Sequence, residues 1–90
     1  MVQYEIKIIG RVQGVCFRKF AEDKARMLNI KGWVKNLPDR NVLIMAQAEK
    51  KDLETFIDYL KIGPARARVD KIFQSEIQCL SNFDNFSVKF

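Results

Sequence analysis

The sequence predicts an α+β protein in which two helices cover one face of a mostly antiparallel sheet. Three observations lead there: apolar residues alternate with period two in the first and last segments, two other stretches have helical spacing, and turn residues separate them. The 90 residues are expected to form one domain, 1–90, because two cores in so short a chain would each bury too little apolar surface.

Each element follows in order. In VQYEIKII (2–9), Val2, Tyr4, Ile6 and Ile8 share one face and Gln3, Glu5 and Lys7 the other, the pattern of a half-buried strand. Phe17, Phe20, Ala21, Ala25 and Leu28 then recur at helical spacing, predicting a helix over 17–29 with Gly32 as its terminator. GWVKN (32–36) is a short strand in which Trp33 is assigned to the core. The turn signal LPDRN links it to the strand NVLIMAQA (41–48) as a hairpin. Leu53, Phe56, Ile57 and Leu60 mark a second helix, with Asp52 and Glu54 early, Lys61 late, and Gly63-Pro64 ending it. VDKIFQSEIQ (69–78) is extended, LSNFDN is a polar turn, and FSVKF alternates Phe86, Val88 and Phe90 against Ser87 and Lys89. The order βαββαβ plus a short C-terminal strand is that of a ferredoxin-like two-layer sandwich.

Composition narrows the function. No apolar run is long enough for a membrane span and MVQYEIK lacks the features of a signal peptide, so a cytoplasmic protein with no membrane partner is expected. Cys16 and Cys79 are read as free thiols. The absence of histidine excludes triads with a histidine base and leaves little from which to build a metal site, so no metal and no cofactor are expected. The formal charge of +5 favours anionic partners without choosing among them.

GRVQGVCFRKF (10–20) joins the first strand to the first helix. A glycine-containing turn into a helix N-terminus gathers unpaired N–H groups at the positive end of the helix dipole, and Arg18 can add a fork of donors suited to phosphate. The same residues also suit a plain turn with solvated arginines, Val15 and Phe17 capping the core and Cys16 packing as a small hydrophobe. The loop alone leaves both readings open.

GRVQGVCFR followed by GWVKN resembles the signature of the acylphosphatase family, Gly-x-Val-Gln-Gly-Val-x-Phe-Arg and then Gly-aromatic-x-x-Asn. The resemblance covers essentially the whole chain, and NFSVKF is similar to the family's aromatic C-terminus. It implies metal-free hydrolysis of small acyl phosphates to a carboxylate and inorganic phosphate. By motif position, Gly10, Arg11, Val12, Gln13, Gly14, Val15, Cys16 and Phe17 cradle the phosphate, Arg18 binds it and Asn36 orients the water. Inorganic phosphate or sulfate would then compete. Gln13 is expected to brace the loop through its side chain.

Two positions depart from the family pattern: Arg40 stands in the hairpin, and Ala48 at the exit of the third strand, where glycine is common. If position 40 needs positive φ, either Arg40 bears the strain or Asn41 takes over the turn. The alternative function is a non-catalytic phosphate- or nucleic-acid-binding module of the same topology. Strand 41–48 has no aromatic on which a base could stack, so no nucleic-acid partner is expected. A metal chaperone would need paired cysteines in the first loop, where Cys16 is alone. A monomer is expected.

Overall fold

In the computed structural model the described residues are 1–79 and 81–90; Leu80, at the head of the expected turn LSNFDN, lies outside them. The elements are β1 (Val2–Arg11), α1 (Phe17–Met27), β2 (Lys31–Asn36), β3 (Val42–Ala48), α2 (Lys50–Ile62), β4 (Arg68–Ile77) and β5 (Phe86–Lys89). They form one sheet in the order β4-β1-β3-β2-β5, antiparallel except where β5 runs parallel to β2. Helix α1 packs over β2 and β5, and α2 over β3 and β4. This is the predicted ferredoxin-like sandwich, and none of its helices is long and apolar enough to cross a membrane.

Period-two alternation decides which side chains meet the helices. Tyr4, Ile6 and Ile8 of β1, Val34 of β2 and Val42, Ile44 and Ala46 of β3 are buried against Phe17, Ala21 and Ala25 of α1 and Leu53, Phe56, Ile57 and Leu60 of α2. Burying each large apolar side chain contributes about 1.5–3 kcal/mol, so this interleaved set is the main source of stability. Phe56 meets Phe86 edge to face, at 6.1 Å and 77°, which ties α2 to the last strand.

The same alternation corrects the placement of Trp33. Its neighbour Val34 is fully buried, so Trp33 points to the opposite, helix-free face, where it is half-buried and the ammonium groups of Lys35 and Lys89 lie 5.2 and 4.7 Å from the centre of its ring.

Helix α1 also ends earlier than its apolar spacing suggests. Asn29 adopts a left-handed conformation (φ 57°), its N–H bonds the Arg26 carbonyl at 3.2 Å, and the N–H of Ile30 bonds that of Ala25 at 2.7 Å. This is a Schellman termination with asparagine in the usual glycine place. Gly32 lies inside β2, packed against the Met45 backbone, and terminates nothing.

Strand β1 runs two residues beyond its expected end because a bulge between Ile9 and Gly10 keeps it paired with β4. At Gly10 a Cβ would overlap the Arg68 carbonyl oxygen, so only glycine lets the strand pass at that distance.

Candidate active site

The bulge delivers the chain into the loop before α1. There Gly14 (φ 72°) and Cys16 (φ 64°) take left-handed conformations on either side of Val15. Alternating backbone handedness of this kind turns successive N–H groups toward one side and forms an anion-binding concavity. Gly14 adopts its conformation freely, whereas Cys16 bears a strain of about 1–2 kcal/mol. Val15 and Phe17 are buried and anchor the loop to the core.

The N–H groups from Gln13 to Lys19 meet no acceptor among the described residues. Cys16 provides no side-chain cap, and the first turn of α1 contains no acidic residue. Unpaired donors and the positive end of the dipole therefore coincide. Cys16 itself is exposed, with a left-handed backbone, and does not pack as the small hydrophobe of the plain-turn reading.

Arg18 is held in place by the C-terminal strand. Its Nη1 donates to the Lys89 carbonyl at 3.0 Å, and its guanidinium carbon lies 4.8 Å from the centre of the Phe90 ring. One edge of the guanidinium is thereby engaged and its remaining donors stay available. Across the cleft, Asn36 ends β2 opposite Val42. Its Oδ1 is buried and accepts no hydrogen bond from any described residue. An unpaired buried acceptor costs about 1–3 kcal/mol, a cost that an active site can justify.

Gln13 connects the loop to the turn that carries Asn36. Its Nε2 donates to the carbonyls of Leu37 and Asn41, each at 2.9 Å. These two residues close the β2–β3 hairpin, where the Leu37 N–H bonds the Asn41 carbonyl at 2.8 Å. The expected brace therefore exists, and its partners are the two residues that set the register of Asn36. Between them Pro38, Asp39 and Arg40 make a three-residue turn whose last position is left-handed, and Arg40 takes it at φ 73°. Arg40, not Asn41, bears that strain. Lys7 and the Asn41 N–H bond the Asp39 carboxylate and hold its pKa below the usual range. Ala48, the second departure, is buried without positive φ and disturbs nothing.

Gly14, Cys16, Phe17, Arg18 and Asn36 line one cleft of about 710 Å³, with Val88 and Phe90 on its far wall. Gly10, Arg11 and Gln13 line a second cleft, and Val12 and Gly14 border both. The predicted site residues are thus divided between two clefts, and Val15, buried in the core, lines neither. The role of β5 was missed: NFSVKF marked an aromatic terminus, but nothing local indicated that Lys89 and Phe90 position Arg18. Glu22 also borders the first cleft, where Arg26 at 3.2 Å and Lys19 at 3.5 Å offset its charge.

A family model described as Acylphosphatase matches residues 4–88. The acylphosphatase of Archaeoglobus fulgidus is 41% identical over 90 residues, covering 100% of both chains. The crystal structure of acylphosphatase from Bacillus subtilis superposes with a TM-score of 0.97 at 37% identity, covering 100% of both chains. An acylphosphatase structure from Coxiella burnetii gives 0.92 at 32% identity over 98% of this chain and 92% of that one. The matches run through the loop, both helices and all five strands, and on that extent the chain belongs to the acylphosphatase family and is a hydrolase of acyl phosphates.

Proposed function

We propose that the loop 10–18 and Arg18 hold the phosphate of a small acyl phosphate while Asn36 orients the attacking water, with no metal and no cofactor taking part. The water oxygen bonds to phosphorus as the bond from phosphorus to the acyl oxygen breaks. The electron pair leaves on the carboxylate, and the proton of the water passes to a phosphate oxygen. A carboxylate is a good leaving group, so positioning and charge stabilisation can supply most of the acceleration without a protein base.

The observation that carries this reading is the run of unpaired N–H groups from Gln13 to Lys19, set beside Arg18 in a cleft that Asn36 also lines. The donors and Arg18 neutralise the equatorial oxygens, which is the charge-clamping work that a cation performs elsewhere. The amide side chain of Asn36, which borders the cleft, offers a donor and an acceptor for the water and, being neutral, does not repel the phosphate. The protein acts as a monomeric single domain in the cytoplasm, and inorganic phosphate or sulfate competes for the cradle.

Phosphate release from benzoyl phosphate, measured with and without chelator, tests this. Turnover that chelator leaves unchanged and that inorganic phosphate inhibits competitively is the expected result. An inactive wild-type protein, or activity abolished by chelator, would overturn it.

A further inference from the structure

On the other side of residues 10–14 from the catalytic cleft lies a second cleft of about 670 Å³, into which three arginines, Arg11, Arg40 and Arg68, are gathered. No acidic residue lines it. Arg68 is paired with Asp70, at 3.0 and 3.4 Å, but among the described residues no carboxylate pairs with Arg11 or Arg40. Two arginines without a carboxylate partner among the described residues and a third paired with Asp70 thus border one cavity, a concentration of positive charge that attracts an anion.

Arg40 sharpens the point. It holds the left-handed last position of its turn, where glycine or asparagine would sit with less strain, so folding of the hairpin does not call for arginine there. The two clefts meet at Val12 and Gly14, and nothing lies within 4 Å of where a Cβ on Gly14 would stand. The loop at Gly14 therefore presents bare backbone, with no side chain, where the two clefts adjoin.

We propose that this second cleft binds an anionic group, a carboxylate or phosphate, carried on the acyl part of the substrate. One molecule then lies across Gly14, with its transferred phosphate in the loop cradle and its second anion among the arginines. Guanidinium forks match both kinds of anion, and the geometry selects acyl phosphates whose acyl group is itself charged. The inference rests on the assignment of the first cleft to the transferred phosphate.

The test compares benzoyl phosphate with 3-carboxybenzoyl, 4-carboxybenzoyl and 4-(2-carboxyethyl)benzoyl phosphate, three tethers of different reach. It uses the wild type, the double variant Arg40→Asn/Arg68→Gln and a control, Lys50→Gln/Lys51→Gln. The control removes the same charge at the start of α2, which follows the end of β3 that pairs with the opposite end of β1. The wild type should favour at least one carboxylated substrate by kcat/KM, and the arginine variant should lose that preference by roughly five- to tenfold through KM. Its rate on benzoyl phosphate should not change, and the lysine control should keep the preference.

If benzoyl phosphate is hydrolysed but no tethered carboxylate is preferred, or if the preference survives in the arginine variant or falls equally in the control, the second subsite is wrong and the hydrolase reading stands. Failure of the wild type on benzoyl phosphate itself would instead overturn the assignment of the first cleft, and this proposal with it.

Discussion

Helix α2 begins on Glu49 in an extended conformation (φ −65°, ψ 146°), and the carbonyl of Glu49 accepts from the N–H groups of Asp52 and Leu53 at 3.0 and 3.1 Å. Asp52 adds a negative charge to its first turn. Helix α1 begins on Cys16 in a left-handed conformation (φ 64°, ψ 25°), has no acid in its first turn and places Arg18 there. Both helices follow a strand in corresponding halves of the fold, neither has a side-chain cap, and the Cys16 carbonyl accepts from the Phe20 N–H at 3.0 Å as that of Glu49 does from Leu53. Helix α2 pairs one further donor, the N–H of Asp52, and places an acid there, and α1 does neither. The contrast teaches that an uncapped helix N-terminus becomes an anion site through a left-handed entry that gathers its donors and through the absence of a first-turn acid.

Substitutions at the two starts should therefore behave differently. Arg18→Ala removes the only side chain in the first turn of α1 able to fork to the phosphate, and kcat/KM for benzoyl phosphate should fall ~10³-fold or more, in both binding and turnover. Asn36→Ala leaves the cradle intact, so kcat should fall ~10²–10³-fold with KM little changed. A folded Asn36→Ala variant that hydrolyses as fast as the wild type would show that Asn36 does not orient the water.

Gln13→Ala and Gln13→Glu both lose the Nε2 donor that ties the loop to the hairpin. Each should lower kcat by about tenfold with a smaller change in KM, in keeping with a lost pair of hydrogen bonds each worth about 0.5–1.5 kcal/mol. A positioning role requires kcat to move more than the affinity for inorganic phosphate, measured by inhibition. If the affinity falls as far as kcat, Gln13 only holds the loop together.

Giving α1 an acid of the kind α2 has makes the comparison direct. Lys19→Glu should raise KM about fivefold, because the new carboxylate faces the same cradle as the substrate. The smallest effect is expected at the other helix. Asp52→Asn should cost about 0.3–1 kcal/mol of stability, seen in chemical denaturation, and should leave kcat and KM unchanged.

Much of this fold was legible because its signals are local and periodic. Alternation in β1 named Tyr4, Ile6 and Ile8, which are buried, and Val2, which is partly so, and the four apolar positions of α2 are buried as well. Gln3, placed on the other face, is buried too, where it accepts a hydrogen bond from Gln47. Trp33 was misplaced because residue type was weighed above parity: a large apolar side chain suggested core, while its buried neighbour Val34 required the opposite face. The early end of α1 was hidden because asparagine, not glycine, takes the left-handed terminating position.

The candidate site was legible as a motif but not as a geometry. The loop sequence pointed to Arg18, and GWVKN to Asn36. What aims Arg18, the carbonyl of Lys89 and the ring of Phe90, lies 71 residues away along the chain in the case of Lys89. No local pattern reports such a contact. The gathering of Arg11, Arg40 and Arg68 was equally invisible, since a β-bulge, a hairpin turn and an edge strand bring them together from three separate segments.

That α1, and not α2, takes phosphate at its N-terminus can be checked by titrating inorganic phosphate into the amide-labelled protein and following it by NMR. The amides of residues 13–19 should shift together along one saturable binding curve that Arg18→Ala weakens, while Asp52 and Leu53 stay still. Equal shifts at both helix starts, or saturable shifts that leave 13–19 unmoved, would contradict it.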